Sequence, residues 1–260
     1  AIFGAITEHR VTHFAGAAIV LAMLVNAPEA EKPKLDYTVK AFTGGAPPPV
    51  AILQKMTEMG FEVMQVYGLT ETYGHVTQCV WREEWDDLSF EEQANLQSWQ
   101  GVGFPMHEGA AVMNTDSGEL VPRDGKTQGE IVLRGNAVMK GYYKDPDATR
   151  AALHDGWFFS GDAAVWHDNG YIQIKDRLKD VIISGGENIS SVEVEGYLYR
   201  HPAVAAAAVV AKPDEKWGEV PCAFVELKQG EIVNETEFLE WCRGEMAGFK
   251  RPKQVIFGEL

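Results

Sequence analysis

Three cysteines in 260 residues, Cys79, Cys222 and Cys242, stand far apart without Cys-x-x-Cys spacing, so nothing points to a disulfide framework or a zinc site. They read as core or surface thiols. No apolar run approaches the roughly 20 residues of a membrane span, and the N-terminus lacks the basic start, apolar stretch and cleavage site of a secretion signal; the expected location is the cytoplasm. Positive charge is scarce too. Lys+Arg of 23 against Asp+Glu of 38 gives a formal charge of -15, which repels nucleic acid and anionic membranes at long range. Any phosphate must therefore be gripped locally.

Several catalytic signatures fail on inspection. Ser160 is not a hydrolase nucleophile on this pattern, because no G-x-S-x-G elbow occurs. The "GKT" at 125–127 has Leu120 where a phosphate-binding P-loop needs glycine, and "GVGFPM" ends in Met106 where a dinucleotide fingerprint needs glycine, which argues against a dehydrogenase. His9 and His13 have i,i+4 spacing but no third ligand, so a helix-surface pair is the expectation. There is no internal repeat or low-complexity tract.

What is present is enough for a globular protein: 45% of residues are hydrophobic, and the length favours two units over one. Val11 to Asn26 reads as a well-buried helix, Tyr37 to Phe42 as a strand, Pro48 to Met59 as a helix with prolines in its first turn, and Glu62 to Tyr67 as a strand. That βαβ unit places the turns "TGGAPPP" (43–49) and "YGLTETYG" (67–74) at one carboxyl edge of a parallel sheet, the edge where open α/β sheets bind ligands. From Gly101 to Ile174 the texture is short β runs with Gly-rich turns, Asp168-Asn169-Gly170 closing a hairpin, as in a small barrel. Beyond it the order is βαββαβ, a compact α+β domain: strands at Val181 to Ser184, Ala205 to Ala211, Cys222 to Leu227 and Gln254 to Phe257, with helices at Ser190 to Tyr199 and Thr236 to Met246. The expected domains are 1–176 (α/β to residue 100, β-rich from 101) and 177–260, joined by the charged "KDRLKD".

Each candidate motif has a plain structural reading beside a functional one. "TGGAPPP" stops a strand and starts a helix, or its glycines admit a flat ring to the backbone. In "YGLTE", Thr70 and Glu71 suit a phosphate oxygen and its Mg²⁺, and Tyr67 offers a ring face; alternatively Thr70 is a helix N-cap. Asp162, framed by "WFFSGDAAVW", either accepts a ribose diol or bonds nearby backbone in a turn. Gly185 and Gly186 permit close approach by a ligand or form a β-turn. Ser190 and Glu193 match a capping box. The Trp-rich stretch from Trp81 to Trp99 reads as a solvated amphipathic segment.

In order, "GGAPPP", "VYGLTETYG", "GEIVLRGNAVMKGYYKDPDAT", "GWFFSGDAAVWHDNGYIQIKDRLKDVIISGGENISSVEVE" and "FKRPKQVIF" resemble core motifs of the adenylate-forming superfamily of acyl-CoA synthetases, luciferases and peptide-synthetase adenylation domains. The resemblance covers nearly the whole chain. It implies an α/β large-domain portion with a parallel sheet and a small β-barrel subdomain, followed by a small α+β C-terminal domain. It implies that Gly45, Ala46, Pro47, Tyr67 and Gly68 surround the adenine of ATP or AMP, that Thr70 contacts the phosphate, and that Glu71 binds Mg²⁺. Asp162 would hold the ribose, helped by Arg177; Lys179 would be the hinge; Gly185 and Gly186 would line the coenzyme A path; Gly44, His75 and Val76 would border the acyl pocket.

The implied activity is ATP-dependent ligation of a small carboxylic acid to CoA through acyl-AMP, with acids of the medium-chain or 3-methylmercaptopropionate kind and a homodimer as an open option. Two departures qualify it. The superfamily's phosphate loop and its catalytic lysine are not matched, both ends read as cut, and the chain alone is expected to adenylate poorly. The alternatives are an enzyme that passes the acyl group to a carrier-protein thiol or to oxygen, and a catalytically silent nucleotide-binding module.

Overall fold

Alternation sets the first sheet. In the computed structural model, which describes residues 1–45 and 48–260, Val39, Ala41 and Thr43 are buried while Lys40 and Phe42 face the other way, the period of two that one covered face demands. The chain divides into two compact units, Ala1–Ile174 and Lys175–Leu260.

The first unit begins with α1 (Ile2–Glu8), β1 (His13–Ala17), α2 (Ala18–Val25), β2 (Val39–Gly44), α3 (Val50–Glu58) and β3 (Phe61–Leu69), then β4 (Gly74–Gln78), α4 (Phe90–Gln97) and β5 (Val102–Gly103). The sheet order is β1-β2-β3-β4-β5; the first three strands are parallel and β4 and β5 antiparallel. Leu21, Leu24, Leu53 and Met56 from the helices close over Val39, Ala41, Phe61 and Val63.

The helix expected over Val11 to Asn26 is half strand. His13–Ala17 pairs in parallel with Lys40–Gly44: a stretch with His, Phe and Gly is a weak helix former, and a strand partner outweighs that propensity. Nor is α2 buried all round, since Ile19 and Met23 are 59% and 63% exposed.

The Trp-rich segment corrects a second expectation. Trp85 and Trp99 are buried with Cys79 and Tyr171. The Trp99 ring stacks on His167 at 3.8 Å, and Trp85 meets Tyr171 edge-on at 5.3 Å. Only α4 is amphipathic, started by a capping box in which Ser89 Oγ accepts from Glu92 N–H and the Glu92 carboxylate accepts from Ser89 N–H.

The β-rich part holds β6 (Gly109–Met113), β7 (Gln128–Arg134), α5 (Pro146–Ala152), β8 (Leu153–His154), β9 (Trp157–Trp166) and β10 (Ile172–Arg177). They form a sheet in the order β10-β9-β7-β6, with β8 on β9, and the 168–170 turn joins β9 to β10. Val112, Ile131, Leu133, Phe158, Trp166 and Ile172 make its core.

The second unit contains β11 (Ile182–Ser184), β12 (Glu187–Ile189), α6 (Ser191–Leu198), β13 (Val204–Asp214), β14 (Gly218–Leu227), α7 (Glu235–Glu245) and β15 (Gln254–Phe257). The sheet runs β12-β11-β14-β13, with β15 parallel to β14, and Val194, Leu198, Phe238 and Cys242 pack over Ala223, Val225 and Val255. The expected βαββαβ order thus gains one strand, β12. It hairpins back on β11 through Gly185 and Gly186, whose φ values of +60° and +87° are those a two-residue hairpin turn requires.

The capping box expected at Ser190 is half present. Ser190 Oγ accepts from Glu193 N–H at 3.0 Å, but the Glu193 carboxylate turns to Lys250 at 2.5 Å, and Ser190 Oγ itself donates to the Lys175 carbonyl. The next N–H of the helix start, that of Ser191, donates to the Asp176 carboxylate at 2.5 Å.

Glu195, on α6, accepts from Val209 N–H at 2.9 Å, yet burial dominates and raises its pKa from 4.5 to about 7. The folded state thus holds a proton that the unfolded chain releases at lower pH, so the contribution of this group to stability is full below about 4.5 and is lost as pH climbs toward 7, by at most about 3 kcal/mol. Denaturant melts of the chain followed across pH 4.5–7.5 should show this fall, and Glu195→Gln should flatten it.

Candidate functional site

Registry brings the two glycine turns side by side. On β2 and β3 the rungs Val39–Phe61 and Ala41–Val63 are apolar, and the next, Thr43–Gln65, is buried and polar. Gly44 follows, where a Cβ would lie 3.0 Å from the Val66 carbonyl, and then Gly45 at φ +98°. Ala46 and Pro47 lie outside the described residues. Past Val66, β3 continues as Tyr67-Gly68-Leu69 against β4. A Cβ on Gly68 would sit 2.0 Å from the Gly74 carbonyl, so only glycine lets the two strands approach there.

Thr70–Thr72 forms a single 3-10 turn. Its cap is Thr72, not Thr70: the buried Thr72 hydroxyl accepts from Leu69 N–H at 3.0 Å and lies 2.9 Å from the Leu69 carbonyl. The N-cap reading of Thr70 is therefore corrected, and Thr70 is exposed to solvent. Glu71, half-buried, accepts from the Tyr142 hydroxyl at 3.0 Å, and its carbonyl accepts from Met139 N–H at 2.7 Å. Val76 is the extra residue of a bulge between the rungs Tyr67–Thr77 and Gly68–His75; it is fully buried. His75 stays half-exposed, its ring 4.3 Å from that of Phe104.

Asp162 arrives by a second irregularity. Between the rungs Val132–Phe159 and Glu130–Ala163, β9 carries Ser160, Gly161 and Asp162 where β7 has only Ile131, an insertion that re-aims side chains. Three bonds fix it. Ser160 Oγ donates to the Ile131 carbonyl at 2.8 Å, Asp162 N–H donates to Ser160 Oγ at 3.1 Å, and Gly161 N–H donates to Glu130 Oε1 at 2.7 Å. The Asp162 carboxylate, 5% exposed, accepts from the Tyr67 hydroxyl at 2.7 Å. Tyr67 thus contributes its hydroxyl; its ring is enclosed in the second core. Glu130 is buried beside this pair. Burial chiefly raises its pKa, the Gly161 N–H opposes the rise, and the Asp162 charge adds to it.

Arg177, Lys179, Gly185 and Gly186 belong to the second unit. The Arg177 carbonyl accepts from Asp180 and Val181 N–H, closing an exposed turn that carries Lys179. Gly185 is covered by Trp217, whose ring lies 2.7 Å from where a Cβ would be, and its N–H donates to the Trp217 carbonyl.

Of the predicted residues, the first unit gathers Gly44, Gly45, Tyr67, Gly68, Thr70, Glu71, His75 and Asp162 at the carboxyl edge of its parallel strands and the β9 bulge. Glu130, Thr72 and Tyr142 were missed by sequence reasoning. A carboxylate inside the apolar strand "EIVL" was the available signal for Glu130; "KGYYKD" offered none for Tyr142. Among the described residues no group of three or more His, Cys, Asp or Glu could hold a metal ion by itself. A cavity of about 430 Å³ lies elsewhere, lined by Thr38, Gln54, Phe61, Trp81 and Gln97 at the amino ends of β2 and β3. No helix among the described residues is long and apolar enough to cross a membrane.

Comparison with known proteins places the chain in a family. The chain is similar to the acetate–CoA ligase CCL3 and the 2-methylpropanoate–CoA ligase CCL4 of Humulus lupulus, at 51% and 52% identity over 100% and 99% of its length and 47% of each relative. A peroxisomal acetate/butyrate–CoA ligase, AAE7 of Arabidopsis thaliana, is 50% identical over 100% of the chain and 47% of the relative. The chain therefore spans about half the length of the curated relatives it matches. Among solved structures, the amide bond synthetase McbA of Marinactinospora thermotolerans superposes with a TM-score of 0.82 at 30% identity, over 99% of this chain and 50% of that one. The o-succinylbenzoate CoA synthetase of Bacillus subtilis, in complex with ATP and a magnesium ion, gives 0.77 at 30% identity over 99% and 50%. The family profile described as AMP-binding enzyme matches residues 1–143, and that described as AMP-binding enzyme C-terminal domain matches residues 193–260. With more than half of its length under the first profile, this chain belongs to the AMP-binding enzyme family.

Proposed function

We propose that this chain forms part of an ATP-dependent carboxylic acid:CoA ligase that works through an acyl-adenylate. The observation that carries the reading is the Tyr67–Asp162 hydrogen bond, which ties the loop after β3 to the bulge in β9 so that one nucleotide can be gripped by both. In this reading Gly45, Ala46, Pro47, Tyr67 and Gly68 surround the adenine, Asp162 with Arg177 holds the ribose hydroxyls, and the exposed Thr70 meets the α-phosphate. Glu71 would hold a magnesium ion together with the phosphates, which supplies charge neutralisation at the reacting phosphorus.

The chemistry has two displacements. A carboxylate oxygen of the acid attacks the α-phosphorus of ATP and the bond to pyrophosphate breaks. The CoA thiol then loses its proton, its sulfur bonds to the acyl carbon, and AMP leaves. Residues 1–176 act as the C-terminal part of the large domain and 177–260 as a small domain that turns about Lys179 between the steps, with Gly185 and Gly186 along the CoA path. Relatives named for acetate, butyrate and 2-methylpropanoate support a short aliphatic acid, bordered by Gly44, His75 and Val76; medium-chain acids and 3-methylmercaptopropionate are the longer alternatives. Three buried free thiols suit a reducing compartment, the cytoplasm in our reading, with a peroxisomal address as the alternative.

Two measurements test this. Calorimetric titration with AMP should show binding by the chain, weakened about 10- to 100-fold in Asp162→Ala and about tenfold or less in Tyr67→Phe, as for loss of hydrogen bonds to a charged group; unchanged affinities would remove Asp162 from the site. Extended to the length of its relatives, the protein should catalyse ATP–pyrophosphate exchange dependent on a short carboxylic acid and release AMP on adding CoA, whereas the 260-residue chain alone should not. Release on adding a carrier protein but not CoA would transfer the assignment to the carrier-loading alternative, and nucleotide binding with no exchange to the silent module.

A further inference from the structure

The segment "MKGYYKDPDAT" spans residues 139–149. In the structure it folds back on Glu71 and holds it twice. Met139 N–H donates to the Glu71 carbonyl at 2.7 Å, and the Tyr142 hydroxyl donates to Glu71 Oε1 at 3.0 Å. The segment is itself braced: Tyr142 N–H donates to Thr149 Oγ1 at 2.9 Å, and Thr149 Oγ1 donates to the Asp145 carbonyl at 2.7 Å, at the start of α5. Gly141, at φ +150°, lets this loop close, since a Cβ would meet the Thr149 methyl at 2.7 Å. The next residue, Tyr143, is 87% exposed, so the two adjacent tyrosines differ in which one reaches a partner.

We infer that Tyr142 is a positioning residue for Glu71, aiming its carboxylate at a divalent cation shared with the nucleotide phosphates. The inference rests on the assignment of Glu71 to magnesium given above. A glutamate side chain has three rotatable bonds and loses much freedom when fixed; a phenol on one oxygen fixes the carboxylate plane and leaves Oε2, which has no hydrogen-bond partner among the described residues, for the cation. Such outer partners orient metal-binding carboxylates, and their loss typically lowers metal affinity 10- to 100-fold. The Met139 bond anchors the backbone independently of the phenol, which allows the two roles to be separated.

The test uses the 260-residue chain with ATP, reading Mn²⁺ affinity by electron paramagnetic resonance and metal-free ATP affinity by calorimetry. Tyr142→Phe should weaken Mn²⁺ binding to the ATP complex about tenfold, leave metal-free ATP affinity unchanged, and leave the melting temperature close to wild type; Tyr143→Phe should change none of these. Glu71→Gln should abolish the increment in metal affinity that the protein adds to ATP. If Glu71→Gln loses that increment and Tyr142→Phe keeps it, the inference is wrong and the ligase reading stands. Should Tyr142→Phe weaken metal-free ATP binding equally, Tyr142 only supports the loop and the inference also fails. If the wild-type chain adds nothing to the affinity of ATP for Mn²⁺, the assignment of Glu71 itself falls.

Discussion

A buried carboxylate is the constraint around which the first unit is arranged. Asp162 is almost inaccessible, and an ionised group in that position is tolerated only with donors supplied by the protein or a ligand. Tyr67 supplies one from 95 residues away, and in doing so links the parallel sheet of the first hundred residues to the antiparallel sheet that follows. Glu130 tightens the requirement. Its own carboxylate sits close enough to Asp162 for the two charges to oppose each other, so the Gly161 N–H is needed on one and the tyrosine hydroxyl on the other. The β9 insertion, the Ser160 bond to Ile131 and the enclosure of the Tyr67 ring all follow from keeping these two acids apart and satisfied.

Much of this was legible in the sequence because it rests on local signals. The βαβ unit follows from alternation and from prolines at the start of a helix, and Gly68 and Gly185 follow from glycine in places where no other residue fits. What sequence reasoning lost is non-local. His13–Ala17 became a strand because β2 offered it a partner, and Trp85 and Trp99 went inside because Tyr171 and His167, more than 65 residues on, gave them surfaces to stack on. The capping errors differ in origin: Thr72 takes the role expected of Thr70 within the same turn, whereas Glu193 is drawn away by Lys250, 57 residues on. Tyr142 is the extreme case, since its role depends on a contact 71 residues away.

Net charge gives the site its character. A chain of formal charge -15 cannot draw a polyphosphate in by its overall field, and screening leaves only short-range interactions effective at physiological salt. On the proposed reading, recognition would come from shape and short-range polar groups: glycines that would bring backbone close to a flat base, a threonine hydroxyl for the phosphate, and an aspartate that would accept from sugar hydroxyls, where a negative charge is an asset. The same logic explains why acids are admitted at all. On the proposed reading Asp162 would face a neutral sugar and Glu71 a cation, while Glu130 is turned inward onto the Gly161 N–H.

A single metal-facing carboxylate also has a functional consequence that a full cage of ligands would lack. If Glu71 takes a divalent cation as proposed, it would hold that hard, strongly hydrated ion weakly on its own, and useful affinity would arise only when phosphate oxygens complete the shell. In that case Glu71 would contribute one carboxylate to an ion held chiefly by the nucleotide phosphates, and the ion would supply charge neutralisation there. In such an arrangement the aim of the one carboxylate would matter more than its number of partners, because among the described residues no cluster of further metal-ligating side chains stands beside it to correct it. Steering by a neighbouring phenol, itself braced through Thr149 to the start of α5, is a way to obtain that aim while leaving the ion free to go.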